Sequence, residues 1–176
     1  MTEICRAIRL ILSDVDGVLT DGRLTFTDQG VEVKSFHARD GMGIKVWQAA
    51  GYPFGLVTAR QTPIVHNRAI ELQIDLLRQG VKDKRAAVEQ ICEELDLGPE
   101  QVCFIGDDLP DVRAMRYVGL AIAPADAADE AKEVADVVTA SSGGRGAVRE
   151  AIAWILKEQG RWEEVVGGMF GGADPK

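Results

Sequence analysis

Histidine and cysteine are scarce in this chain of 176 residues, which holds two of the first and three of the second. Cys5, Cys92 and Cys103 are odd in number, widely spaced and form no CxxC pair. That excludes a disulfide framework and points to reduced, buried thiols. With only His37 and His66 beside them, the composition also argues against a zinc site. Basic residues are in the minority, 20 against 28 acidic, for a net charge of −8. Nucleic acid and anionic membranes need a basic surface, so neither is expected as a main partner. No apolar run approaches the ~20 residues of a membrane span. The N-terminal apolar run is too short for a signal peptide and leads straight into Asp14, so a cytoplasmic protein is expected. What remains is a chain 46% hydrophobic, enough for the core of one globular domain. Any anionic substrate must then be held by local Lys and Arg against the overall field.

The stretch Leu10 to Gly22, LILSDVDGVLTDG, organises the rest. A short apolar run, Ile8 to Leu12, ends abruptly in Asp14, Asp16 and Asp21. Such a run, stopped by a turn signal, reads as a buried strand of a parallel sheet. Gly17 lets the chain leave that strand at an angle. At least two carboxylates then stand at the carboxyl end of a strand, where open α/β sheets bind ligands. Two carboxylates about 4 Å apart repel by roughly 4 kcal/mol at an effective dielectric near 20, and a divalent cation is the natural offset. Asp21 has two readings, support for the turn and metal binding, and the turn is preferred.

Two short β-rich runs follow, Arg23 to Thr27 and Val31 to Phe36, with a turn at Asp28-Gln29-Gly30: a hairpin inserted at about 23–36. Asp40-Gly41 opens a helix to about Ala50. Tyr52 to Val57 is a strand closed by Thr58-Ala59-Arg60. Thr62-Pro63 starts a helix to about Leu72, and Asp75 to Leu77 is a short strand. Asp83 caps a helix that Gly98-Pro99 stops. Gln101 to Ile105 is a strand ending in GDDLPD. Pro110 starts a helix to Met115, Val118 to Ile122 is a strand, Ala127 to Val134 a helix and Asp136 to Val138 a last strand. The loop SSGGRG precedes a final amphipathic helix carrying Val148, Ile152, Ile155 and Leu156. Alternating strands and helices mean a doubly wound parallel α/β sheet with helices on both faces. A single domain over 1–166 and a flexible glycine-rich tail over 167–176 are expected.

In a parallel sheet the strand ends share one edge. Asp14 and Asp16, Thr58, Arg60, Lys84, Asp107 and Asp108 therefore converge on one crevice. Acids for a cation, a hydroxyl donor and a lysine are the equipment of phosphoryl transfer. DVDGVLT, the Thr58 strand end, Lys84 and GDDLPD, in that order, resemble the four motifs of the haloacid-dehalogenase phosphatases. The resemblance covers nearly the whole chain. It implies a Rossmann-like fold and makes Asp14 the nucleophile that forms an aspartyl-phosphate. Asp16 becomes the acid/base, Thr58 a hydrogen-bond donor to phosphate, and Lys84 the stabiliser of charge on Asp14 and the phosphoryl group. It also implies Mg²⁺ held by the Asp14 carboxylate, the Asp16 main-chain carbonyl and Asp107. Asp108 and Asp111 either touch the metal through water, orient Lys84, or cap the helix begun at Pro110.

No cap-sized segment lies between Asp14 and Thr58 or between Thr58 and Lys84. A bare site would admit water, so another subunit is expected to supply the lid through the hairpin. The short capless form, with FHARDGMGIK, TAR, QGVKDK, GDDLPD and GGRGAVRE, is similar to the 3-deoxy-D-manno-octulosonate 8-phosphate phosphatases, a family of homotetramers with interfacial active sites. That resemblance implies a sugar acid phosphate of lipopolysaccharide precursor synthesis as substrate. Arg60, Arg68 and Arg145 are candidates to bind its two anionic ends, because a guanidinium matches both in bidentate fashion. Arg68 has a second reading, a surface pair with Glu71. The related phosphatases of a nine-carbon ulosonate 9-phosphate are the alternative, and the arginine in GGRG favours the eight-carbon sugar. A receiver-type switch shares the residue types but carries its phosphorylated Asp after a middle strand. A catalytically silent relative would have lost the nucleophile or Lys84.

Overall fold

The structure, a computed structural model, describes residues 1–171. Strand β1 (Leu10–Ser13) is buried along its whole length. It pairs in parallel with β4 (Phe54–Val57) on one side and β6 (Val102–Ile105) on the other. β5 (Leu76–Arg78) extends the sheet beyond β4, and β7 (Leu120–Ala123) and β8 (Val137–Val138) extend it beyond β6. The order is β5-β4-β1-β6-β7-β8, so the winding reverses at β1. Strand direction and order therefore open a crevice beyond the carboxyl end of β1.

Each strand divides its side chains between two cores, because successive residues point to opposite faces. Ile11, Leu56, Ile105 and Ile122 pack on one face. There they meet α1 (Thr2–Ala7), α2 (Ala38–Ala49), α3 (Pro63–Glu71), α7 (Ala147–Glu158) and α8 (Trp162–Phe170). Leu12, Val57, Phe104 and Ala121 pack on the other, against α4 (Lys84–Leu95), α5 (Leu109–Met115) and α6 (Asp129–Val134). Trp47, wholly buried, is the largest core side chain and donates its indole N–H to the Pro53 carbonyl at 2.8 Å. The hairpin forms as expected but is short, with β2 (Thr25–Phe26) antiparallel to β3 (Glu32–Val33). Among the described residues no separate cap covers the crevice. The three cysteines are free and buried. Among the described residues, no helix is long and apolar enough to cross a membrane.

Four expectations are corrected. α2 begins two residues before Asp40, because the His37 ring nitrogen accepts from the Arg39 amide and caps the helix. Asp40 is instead buried within the first turn, and its carboxylate accepts from the Gly146 and Arg149 amides at 3.1 and 2.9 Å. It thereby caps α7, whose own N-cap is a glycine. α4 ends before Gly98-Pro99, at Asp96 in a left-handed conformation. α7 is not the last helix: α8 follows and runs through Gly167 to Phe170, so the chain is regular past the expected tail boundary. Residues 172–176 of that tail lie outside the described residues. α1 was signalled by no cap or periodicity.

Candidate active site

The carboxyl ends of β1, β4 and β6 and the first turns of α4 and α5 bring the expected residues to one open cavity of about 270 Å³. Asp14 follows β1 directly, Thr58 follows β4, and Asp107 stands two residues beyond β6. Asp83 caps α4 by accepting from the Arg85 and Ala86 amides, which sets Lys84 at the first helical position. The Lys84 side chain is buried, and its Nζ lies 2.7 Å from Asp14 Oδ2 and against Asp111 Oδ1. The second Asp111 oxygen accepts from the Asp107 and Asp108 amides at 3.0 and 3.3 Å. Asp111 is thus fully engaged, orienting Lys84 with one oxygen and closing a capping box with the other. Asp108 caps α5 at the Leu109 amide. Asp111 therefore contacts Lys84 and the first turn of α5 at once.

Asp14, Asp107 and Asp111 each offer a carboxylate oxygen within 4.8 Å of the others. Three acids here face one ammonium. Burial pushes the Asp107 carboxyl up to about 8, reinforced by Asp111 and Asp14. Burial likewise raises Asp14, opposed by the Lys84 charge. For Lys84 burial acts downward, yet Asp14 and Asp111 outweigh it and hold the ammonium above its ordinary range. Asp14 Oδ1 is buried without a hydrogen-bond partner. Such a group is costly unless something else satisfies it.

Glycine shapes the approach. A Cβ on Gly17, whose φ is +88°, would lie 1.9 Å from Asp107 Oδ2, so a side chain there would displace the acid. A Cβ on Gly143 would lie 1.8 Å from the Gly17 carbonyl oxygen. The SSGGRG loop is therefore a backbone prop under the β1 loop, tied by the Gly144 amide to the Val18 carbonyl at 2.9 Å.

Thr58 is buried, and its Oγ1 accepts from the Arg60 amide at 3.3 Å, which leaves its own proton to donate. Asp16 lines the cavity and pairs with Lys34 of the hairpin, a residue that sequence reasoning passed over. Arg60 lines it too, with Nε 3.6 Å from Asp16 Oδ2 and Nη2 2.7 Å from Glu32. Asp21 accepts from the Arg23 amide and supports its turn. The other two arginines stand elsewhere in this chain. Arg68 pairs with Glu71 at 2.7 Å and stacks over Phe36. Arg145 is exposed in the SSGGRG loop. Neither lines the cavity.

The family model described as haloacid dehalogenase-like hydrolase matches residues 73–152. The 3-deoxy-D-manno-octulosonate 8-phosphate phosphatase of Escherichia coli (strain K12) is 41% identical over 160 residues, which is 91% of this chain and 85% of that protein. The crystal structure of the Moraxella catarrhalis phosphatase of the same name, in complex with magnesium ion, phosphate ion and KDO, superposes with a TM-score of 0.92. Its sequence identity is 33%, over 96% of this chain and 97% of that one. The Yersinia pestis phosphatase gives a TM-score of 0.90 at 41% identity, over 92% of this chain and 88% of its own.

Proposed function

This chain belongs to the 3-deoxy-D-manno-octulosonate 8-phosphate phosphatases of the haloacid dehalogenase-like hydrolases, and from that we infer that it hydrolyses 3-deoxy-D-manno-octulosonate 8-phosphate to the sugar acid and phosphate. The observation that carries the reading is the group of three carboxylates, Asp14 and Asp111 on Lys84 and Asp107 beside them, with Asp14 Oδ1 buried and unpartnered. That donor set is hard, oxygen-only and short of positive charge, so it fits a small divalent cation. Mg²⁺ is the cofactor, with Asp14, Asp107 and the Asp16 main-chain carbonyl as the residues that would hold it. When bound it supplies positive charge that neutralises phosphoryl oxygens.

The side chains divide the remaining work. The Asp14 carboxylate attacks phosphorus, the phosphorus–oxygen bond to the sugar breaks, and Asp16 gives a proton to the departing oxygen. Water then attacks the aspartyl-phosphate while Asp16 takes a proton from it, releasing phosphate and restoring Asp14. Thr58 donates its hydroxyl proton to a phosphoryl oxygen. Lys84 offsets charge on Asp14 and on the phosphoryl group, and Asp111 keeps it aimed there. Preorganised charges of this kind act strongly because they need no rearrangement as the reaction proceeds.

The cavity, at about 270 Å³, falls below the ~300–1,000 Å³ of pockets that enclose a drug-sized ligand. An eight-carbon acid phosphate seated here by its phosphate would project past the chain. A homotetramer with interfacial sites supplies the remaining wall, and Arg68 or Arg145 of a neighbouring copy then meets the substrate carboxylate. Arg60 serves from the same chain. The enzyme would work in the cytoplasm, on a lipopolysaccharide precursor.

Phosphate release from the eight-carbon 8-phosphate, a nine-carbon ulosonate 9-phosphate and an aryl phosphate tests the reading. Turnover should require Mg²⁺, vanish in EDTA and favour the eight-carbon substrate. Asp14→Asn should fold like the parent and release nothing. Metal-independent turnover, or an undiminished Asp14→Asn rate, overturns the mechanism. Preference for the nine-carbon substrate overturns the specificity alone.

A further inference from the structure

The second strand of the hairpin is built inside out. Val31, Val33 and Ser35 are exposed, while Glu32, Lys34 and Phe36 alternate with them and turn toward the protein. Lys34 is the extreme case, with a side chain only 1% exposed. A buried ammonium is costly unless paired. Its Nζ meets Asp16 Oδ1 directly and lies 3.3 Å from Glu32 Oε1. Glu32 in turn accepts from Arg60 Nη2 at 2.7 Å. Two acids and two bases form a closed neutral group, separate from the acid-rich group around Asp14. Within it Lys34 takes one oxygen of Asp16, while the other, Oδ2, is buried without a hydrogen-bond partner and has Arg60 Nε 3.6 Å away, beyond hydrogen-bond reach.

From this geometry we propose that Lys34 is a positioning residue for the reaction, holding Asp16 by Oδ1 so that Oδ2 is the oxygen that exchanges the proton. Glu32 braces Lys34 and Arg60 on either side of it. The hairpin thereby serves the site of its own chain, whatever else it does for a neighbour. The proposal rests on the reading of Asp16 as the acid/base.

The test compares the first chemical step on two leaving groups in one enzyme. An alkoxide leaving from the sugar phosphate needs a proton, whereas nitrophenolate leaving from p-nitrophenyl phosphate does not. In single turnover with Mg²⁺, Lys34→Met should cleave the sugar phosphate about 10- to 100-fold more slowly, a part of the ~10²- to 10⁴-fold that a general acid contributes, because Asp16 itself remains. The nitrophenolate burst rate should stay within about 3-fold, and KM for the sugar phosphate within about 3-fold. Lys34→Arg should restore most of the loss. A change in folded fraction would scale the burst amplitude on both substrates alike and leave the rate constants' ratio unmoved. Equal slowing on both substrates, or none on the sugar phosphate, overturns the role of Lys34. Asp16→Asn separates the two levels: if it too leaves sugar phosphate cleavage intact, the acid/base reading has failed; if it abolishes cleavage while Lys34→Met does not slow it, only the positioning role has failed.

Discussion

Asp107 is partly buried among like charges in the site. Its carboxyl is pushed up to about 8 in the folded chain, first by burial and then by Asp111 and Asp14, against about 3.9 when unfolded. The folded chain therefore binds more protons than the unfolded one across that interval, and the metal-free protein should lose stability as pH rises from about 4 to 8. Partial exposure screens the effect, so ~1–2 kcal/mol is the expected scale. Mg²⁺ held as proposed would favour the carboxylate form and remove the burden. Thermal melts should show a larger Mg²⁺-induced rise at pH 8 than at pH 5, and Asp107→Asn should melt higher than the parent in EDTA at pH 8 while gaining little from Mg²⁺. An equal Mg²⁺ effect at both pH values would mean that Asp107 does not feel the cation. The identities of these residues were legible in order and spacing, because DVDGVLT and GDDLPD end apolar strands. The engagement of Asp111 by Lys84 and by two amides was not, since those partners come from different segments.

Elements with their own caps were the easiest to read. Thr62-Pro63 and Asp83 begin α3 and α4 as their residue types demand. The failures lie where a cap comes from afar. Asp40 looks like a local helix start, yet it is spent on α7, more than 100 residues away. Gly146 cannot cap α7 by itself, so Asp40→Ala should cost about 2 kcal/mol by leaving amides of α7 unpaired. Urea unfolding of the variant measures this, and a loss below about 0.5 kcal/mol would deny Asp40 that role. α8 is not legible in the sequence because Gly167 and Gly168 interrupt its pattern; its place is secured by packing, with Val165 buried in the main core.

For the molecule as a whole, the decisive feature is what the hairpin shows to solvent. Leu24, Phe26, Val31 and Val33 are exposed apolar residues on one small insertion at the rim of an open cavity. On a solitary chain they would be a liability. In the proposed tetramer they would be buried and would close the site. Sedimentation should give a species of four chains. Phe26→Asp should release smaller species whose KM rises much more for the eight-carbon substrate than for an aryl phosphate. A fully active monomer with unchanged KM would remove the case for a shared site. The net charge of −8 makes local cations, not the overall field, responsible for holding the substrate.

The sequence by itself determined the sheet, its winding and the group of acids at its edge. Those follow from short-range signals: apolar runs of strand length, acids that end them, and caps within three residues. Tertiary structure alone decided which face of VEVKSF turns inward, which distant helix Asp40 serves, and that Arg68 and Arg145 stand away from the cavity of their own chain. Alternation along a strand specifies two faces without saying which is buried, and a hydrogen bond between remote residues leaves no spacing to read. Both are settled only when the fold brings the segments together.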